Sequence, residues 1–160
     1  MRNIIFIAPP AAGKGTQSNL LKEHFGYIHI STGDLLRAEI ASGSKLGMEV
    51  KNIIDKGNLV SDDLMIDIIQ NKLTGIKGKP FILDGFPRTL NQAKVLDEIL
   101  DDDYEVIYLE LDKEDAIKRI EGRLTCSCGK SYNLNDEELK PKVTGICDNC
   151  GKKLVKRDDD

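Results

Sequence analysis

Short apolar runs and longer stretches of mixed polarity alternate along the chain. "NIIFIA", Asn3 to Ala8, reads as a strand buried on both faces of a parallel sheet. From Lys14 the chain turns helical to about Phe25, with Leu20 and Leu21 apolar and Lys22 and Glu23 polar. "YIHIS", Tyr27 to Ser31, is a short strand. A helical stretch follows from Thr32 to Val60, broken near "ASGSKLG". Ser61 and Asp62 supply an N-terminal cap for a helix through Leu73. "PFILDG", Pro80 to Gly85, is another buried strand, and "FPR" follows it. Thr89 caps a helix to Leu100, and "YEVIYLEL", Tyr104 to Leu111, is a fourth strand. Asp112 caps a helix from Lys113 to about Leu124. Strands alternating with helices predict an α/β fold with a parallel sheet.

The pattern changes at Thr125, where cysteines, glycines and charges replace apolar periodicity. A small inserted domain is expected from there to about Asp158, and the closing "DDD" reads as a loop. A length of 160 residues suits one domain or one domain with an insertion. The formal net charge of −4 argues against a general nucleic-acid binder, so any anion site must be local. The apolar run near the N-terminus ends at Pro9. It is too short for a membrane span and lacks a signal-peptide cleavage pattern, so a cytoplasmic location is expected.

"IAPPAAGKGTQ", Ile7 to Gln17, joins the first strand to the first helix. It approaches the phosphate-binding pattern G-x-x-x-x-G-K-[ST], with Gly13 and Lys14 in place. Ala8 stands where the first glycine belongs, and Gly15 separates Lys14 from Thr16. A helix starting there points its N–H groups and positive dipole end back at the loop, which suits an anion. The plain alternative is a turn with a surface lysine.

Asp84 ends its apolar strand, the edge at which open α/β sheets collect ligands, and is expected to face the loop. A carboxylate there suits a hydrated magnesium ion. A helix cap or a buried partner for Lys14 is the alternative. Arg119 and Arg123, four apart, are expected to share a helix face whose neighbours Ala116, Ile117 and Ile120 point to the core. Arg37 and Arg88 add two further cations, each otherwise a solvated charge. Four arginines, a lysine and a phosphate loop fit transfer between polyphosphates, where catalysis is mainly positioning and charge neutralisation. Cys126, Cys128, Cys147 and Cys150 fall in two pairs. Four clustered thiols in a cytosolic chain point to tetrahedral zinc, with free thiols as the alternative.

Together these residues resemble an adenylate kinase of the long-lid, zinc-containing bacterial type. "GKGTQ" at Gly13–Gln17, "STGDLLR" at Ser31–Arg37, "KGNLVSDDL" at Lys56–Leu64, "LDGFPRT" at Leu83–Thr89 with Gln92, and "RIEGR" at Arg119–Arg123 follow the family's order and spacing. The resemblance implies a P-loop parallel sheet flanked by helices, with a small zinc-binding lid. It divides the chain into a core at 1–30 and 61–124, an AMP-binding domain at 31–60 and a lid at 125–158. It implies reversible phosphoryl transfer, ATP plus AMP giving two ADP, with Mg2+ accompanying ATP and structural Zn2+.

By the same resemblance Ala11, Ala12, Gly13, Lys14, Gly15 and Thr16 would wrap the ATP phosphates. Arg119, Arg123, Ser131 and Tyr132 would also meet ATP. Thr32, Arg37, Asn58, Leu59, Val60, Gly85, Phe86, Pro87, Arg88 and Gln92 would hold AMP, with Gln92 reading the adenine edge. Arg157 would close over the phosphates from the far hinge of the lid and reach AMP as well. Lys14, Asp84, Arg88, Arg123 and Arg157 would form the catalytic set. The partners implied are ATP, AMP and ADP, with no nucleic acid, no membrane and a monomeric state.

Three departures from the family pattern stand out. Ala8 and Ala11 replace loop glycines, and a left-handed backbone there would cost a non-glycine residue about 1–2 kcal/mol. The first cysteine pair is C-x-C rather than C-x-x-C. The chain stops at Asp160, where the family's lid rejoins its core. On that pattern a further lid arginine, the last core strand and its helices would follow, and residues 1–160 alone are expected to turn over little. Two other readings are a kinase acting on UMP or CMP, and a nucleotide- or zinc-binding remnant without turnover.

Overall fold

A computed structural model describes residues 1–100 and 103–157, so the expected far bound of the insertion at Asp158 and the closing "DDD" lie outside the described residues. The chain forms two compact units, one of Met1–Ile7 with Gln17–Tyr108 and one of Ala8–Thr16 with Leu109–Asp160.

The first unit is built on a parallel sheet. Its strands are β1 (Asn3–Ile7), β2 (Ile28–Ser31), β3 (Phe81–Asp84) and β4 (Tyr104–Tyr108), in the order β2-β3-β1-β4. The two central strands are the most apolar, with Ile4, Ile5, Phe6, Ile82 and Leu83 all buried. Edge strand β4 is different: Val106 is 57% and Tyr108 65% exposed. It also stops at Tyr108, three residues short of the run that the sequence suggests.

Helices connect the strands: α1 (Lys14–Phe25), α2 (Thr32–Ser42), α3 (Lys45–Asp55), α4 (Asp62–Gly75) and α5 (Leu90–Leu100). Hydroxyl caps start several of them. Ser31 accepts from Asp34 N, Ser44 from Gly47 N and Ser61 from Leu64 N, while Thr89 accepts from Gln92 N. Each satisfies an amide left without a partner in the first helical turn. Met65, Ile66 and Ile69 of α4 and Leu96 of α5 join Ile5, Ile30, Phe81, Leu83 and Phe86 in one core.

The second unit holds α6 (Lys113–Gly122), the antiparallel strands β5 (Arg123–Thr125) and β6 (Ser131–Asn133), and a short 3-10 turn at Glu137–Leu139. Its small core is Cys126, Tyr132, Cys147 and Leu154. Two expectations change here. Asp112 occupies the N-cap position of α6, but its side chain makes no capping bond. Ile117 is exposed, and Ala116 and Ile120 are half-buried.

Arg119 and Arg123 do not share a helix face, because α6 ends at Gly122 and Arg123 opens β5 in extended backbone. The cause is a close approach. A side chain at Gly122 would put its Cβ 2.2 Å from Asn133 Oδ1 and 2.8 Å from Asn135 Nδ2. Leu134 N–H takes the Gly122 carbonyl, and Asn133 and Asn135 take the carbonyls of Arg119 and Lys118. The last helical carbonyls are thereby satisfied, and the chain turns straight into the hairpin.

Candidate nucleotide site and metal centre

The loop before α1 has the backbone of an anion cradle. Ala11 has φ 61° and Gly13 φ 93°, and Ala11 is the one non-glycine with positive φ among the described residues. Left-handed residues let neighbouring N–H groups converge on one point, and the α1 N-terminus adds its own. Lys14 Nζ donates to Ala8 O at 3.1 Å and Pro9 O at 3.2 Å, so the ammonium lies along the loop. Arg119 Nη1 donates to Ala11 O at 3.3 Å, tying α6 to the same loop. Ala8 keeps an ordinary φ, so only one of the two alanine replacements carries strain. Gly15 is half-buried beside Lys14, and Thr16 is exposed in the first turn of α1.

A second cluster gathers where β3 ends. The β1–β3 register sets Asp84 beside Phe6, and the β2–β3 register sets it beside Ser31. His29 Nε2 lies 3.3 Å from Asp84 Oδ2, a partner for that carboxylate that the sequence did not suggest. Gly85 follows with φ 84°, and a Cβ there would fall 2.6 Å from Thr32 Oγ1. Buried Thr32 donates to Gly85 O at 3.0 Å. Arg88 Nε donates to the same carbonyl at 2.8 Å, which fixes the plane of an otherwise exposed guanidinium.

Phe86 is in the core, and its peptide bond to Pro87 is cis. Gln92 is only 4% exposed, and its amide is engaged at both ends. Its Oε1 accepts from Arg88 N at 2.8 Å, and its Nε2 donates to Asp62 Oδ1 at 2.8 Å. Thr89 Oγ1 donates to the other oxygen of Asp62 at 2.8 Å. Arg37 pairs with Asp34 one turn earlier on α2. Asn58 and Leu59 are exposed and Val60 half-buried on the coil after α3.

The four cysteines converge, with all Sγ atoms within 4.8 Å of one another. Cys126 Sγ is 3.4 Å from Cys150 Sγ, and Cys128 Sγ 3.6 Å from Cys147 Sγ. Zinc–sulfur bonds of about 2.3 Å in a tetrahedron place sulfurs roughly 3.8 Å apart, so the spacing fits. The C-x-C pair therefore converges despite its missing residue. The Tyr132 hydroxyl beside it, helped by backbone N–H groups of Cys150 and Asn149, draws the Cys147 thiol down to about 6 against burial. Burial, and then the bond to Cys147, push the Tyr132 phenol up to about 12. The Lys130 N–H lowers the Cys128 thiol. Ser131 is exposed beside buried Tyr132, and Arg157 is half-buried near the end of the described chain.

The family model described as adenylate kinase matches residues 6–157. Adenylate kinase of Thermosipho africanus is 51% identical over 99% of this chain and 76% of its own length. Adenylate kinase of Methanocella arvoryzae is 46% identical over 98% and 74%. Adenylate kinase of Clostridium tetani is 44% identical over 99% and 75%. The chain belongs to the adenylate kinase family. It is a phosphotransferase with the family's P-loop fold, and it spans about three quarters of the length of these relatives.

Two members of the cluster around the end of β3 escape a reading of the sequence. His29 reads there as one position in an apolar strand, and only the β2–β3 register brings it to Asp84. Asp62 reads as half of a helix cap. Ser61 does the capping, and the Asp62 carboxylate instead holds Gln92 and Thr89. Among the described residues no helix is long and apolar enough to cross a membrane.

Proposed function

We propose that this adenylate kinase moves a phosphoryl group reversibly between ATP and AMP, giving two ADP. The observation that carries the reading is the loop Ala11–Thr16, folded at the α1 N-terminus with Lys14 lying along it. In this reading its N–H groups take the phosphates of ATP, and Lys14 exchanges its carbonyl partners for the transferred group. Arg119, Arg123 and Arg157 add charge as it builds on the phosphoryl oxygens, with Ser131 and the Tyr132 backbone toward ATP. Such preorganised charge is the main source of rate in phosphoryl transfer.

The AMP side is assigned to Thr32, Arg37, Asn58–Val60, Gly85–Arg88 and Gln92. Arg88 supports this best, because its Nε bond presets the guanidinium for two-pronged phosphate binding. Gln92 reads a base only by exchanging Asp62 or Arg88 for it. Residues 31–60 form the mobile AMP-binding segment and 125–158 the lid, whose closure keeps water from the phosphates.

Asp84 suits Mg2+ held through water, and that ion supplies charge neutralisation on the ATP phosphates. The four cysteines suit one structural Zn2+, which supplies a cross-link for a lid with little core of its own. A cytoplasmic monomer without nucleic-acid or membrane partners completes the reading. A coupled ADP assay offering AMP, CMP and UMP in turn tests it. AMP is expected to be the preferred acceptor, and equal rates with UMP or CMP would overturn that choice.

A further inference from the structure

Tyr132 sits on β6 with its ring in the core of the second unit, 4% exposed. Its hydroxyl meets two groups of the cysteine knuckle, one amide and one sulfur. It accepts from Asp148 N–H at 2.7 Å and lies 3.4 Å from Cys147 Sγ. The amide can only donate, so the oxygen serves it as acceptor. A metal-bound thiolate carries no proton, so toward Cys147 the hydroxyl must be the donor. Cys147 is itself buried, and water does not replace that donor.

The Lys130 ammonium lies 5.5 Å from the centre of the Tyr132 ring. A cation over the ring draws electron density from it and strengthens the O–H as a donor. Four thiolates around one divalent ion leave net negative charge, and hydrogen bonds to buried sulfur disperse it.

We propose that Tyr132 is a positioning residue of the cysteine centre, fixing the Cys147 sulfur and holding the Cys147–Cys150 knuckle against β6. This rests on the zinc reading above. It also commits the phenol to the lid interior, leaving the backbone of Tyr132 for any nucleotide.

The test compares wild type with Tyr132→Phe, which keeps the ring and removes only the hydroxyl. Zinc affinity is measured against a chromophoric chelator, and the thiolate charge-transfer bands of the Co2+-substituted proteins are recorded. Loss of an outer-shell partner typically weakens metal binding about 10–100-fold, and that loss is expected here with a shifted Co2+ band. Asn149→Ala serves as comparison, since Asn149 Nδ2 is exposed and 3.9 Å from Cys128 Sγ. It is expected to stay within about twofold of wild type.

Affinity of Tyr132→Phe within twofold of wild type with an unshifted band overturns the proposal. So does an equal loss in Asn149→Ala. A Tyr132→Phe lid that folds only in excess zinc supports it, and one that excess zinc does not restore overturns it. Wild type holding less than half an equivalent of zinc would sink the zinc reading itself and this inference with it, a result distinct from a change confined to the variant.

Discussion

His29 and Asp84 meet across neighbouring strands, Nε2 to Oδ2 at 3.3 Å, both side chains largely shielded from solvent. The register places His29 opposite Ile82 and Ser31 opposite Asp84, so histidine and carboxylate share one sheet face. With Nε2 protonated, His29 donates and holds one carboxylate oxygen still. His29→Ala is expected to cost about 1–2 kcal/mol of stability and to raise the Mg2+ concentration needed for half-maximal turnover. His29→Gln, which can still donate, should recover part of both. Thermal unfolding and Mg2+ titration of the kinase rate are the measurements, and an unchanged Mg2+ requirement counts against the role.

Arg88 should separate the two nucleotides. Arg88→Ala is expected to weaken AMP at least tenfold, since a charge-assisted bond is worth about 1.5–3 kcal/mol. ATP binding should change little. Equal losses for both nucleotides, read by calorimetric titration, would mean that the AMP assignment is wrong.

Gly85 carries both a left-handed backbone and a close neighbour, Thr32 Oγ1, at 2.6 Å from where a Cβ would sit. Gly85→Ala should therefore lower stability by more than the roughly 1–2 kcal/mol of backbone strain alone. The bond from Thr32 to Gly85 O would move with it, and AMP affinity should fall too. Denaturant unfolding gives the first quantity and AMP titration the second.

Ala11 is strained where Ala12 is not. Ala11→Gly relieves a left-handed alanine and should hold or raise stability, by up to about 1 kcal/mol. Ala12→Gly gains no such relief and should lower it. Parallel melts of the two variants decide; the same sign for both would show that Ala11 φ is not the cause.

Metal analysis addresses the cysteines. Purified protein should hold one equivalent of zinc, and Cys150→Ser should lose most of it. Content below half an equivalent, unchanged by the substitution, would remove the metal from this lid.

The alternation of strands and helices is legible in the sequence because β1 and β3 are near-continuous apolar runs and α2, α4 and α5 begin at hydroxyl residues that cap them. The phosphate loop and the cysteine pairs are legible because they are local, held within a few residues of chain. What is not legible depends on distance. The end of α6 is set by Asn133 and Asn135, eleven and thirteen residues beyond Gly122, so a helix through Leu124 looks plausible from local pattern alone. His29 joins Asp84, and Asp62 joins Gln92, only through strand register and helix packing. Tyr132 looks like a nucleotide contact by motif, yet its hydroxyl faces a sulfur that lies fifteen residues away.

The position of β1 has a consequence for synthesis. It leaves the ribosome before the other strands of its sheet, yet its partners are β3 and β4, the last two strands of that sheet to be made. Asn3 meets Tyr104 only after about a hundred further residues have been added, which at about 5–20 residues per second takes roughly 5–20 s. Until Phe81–Asp84 emerges to pair with them, Ile4, Ile5 and Phe6 remain an unpaired apolar segment on a growing chain. A nascent-chain chaperone that favours short apolar stretches would find a binding site there, and release would have to wait for Phe81–Asp84 to emerge.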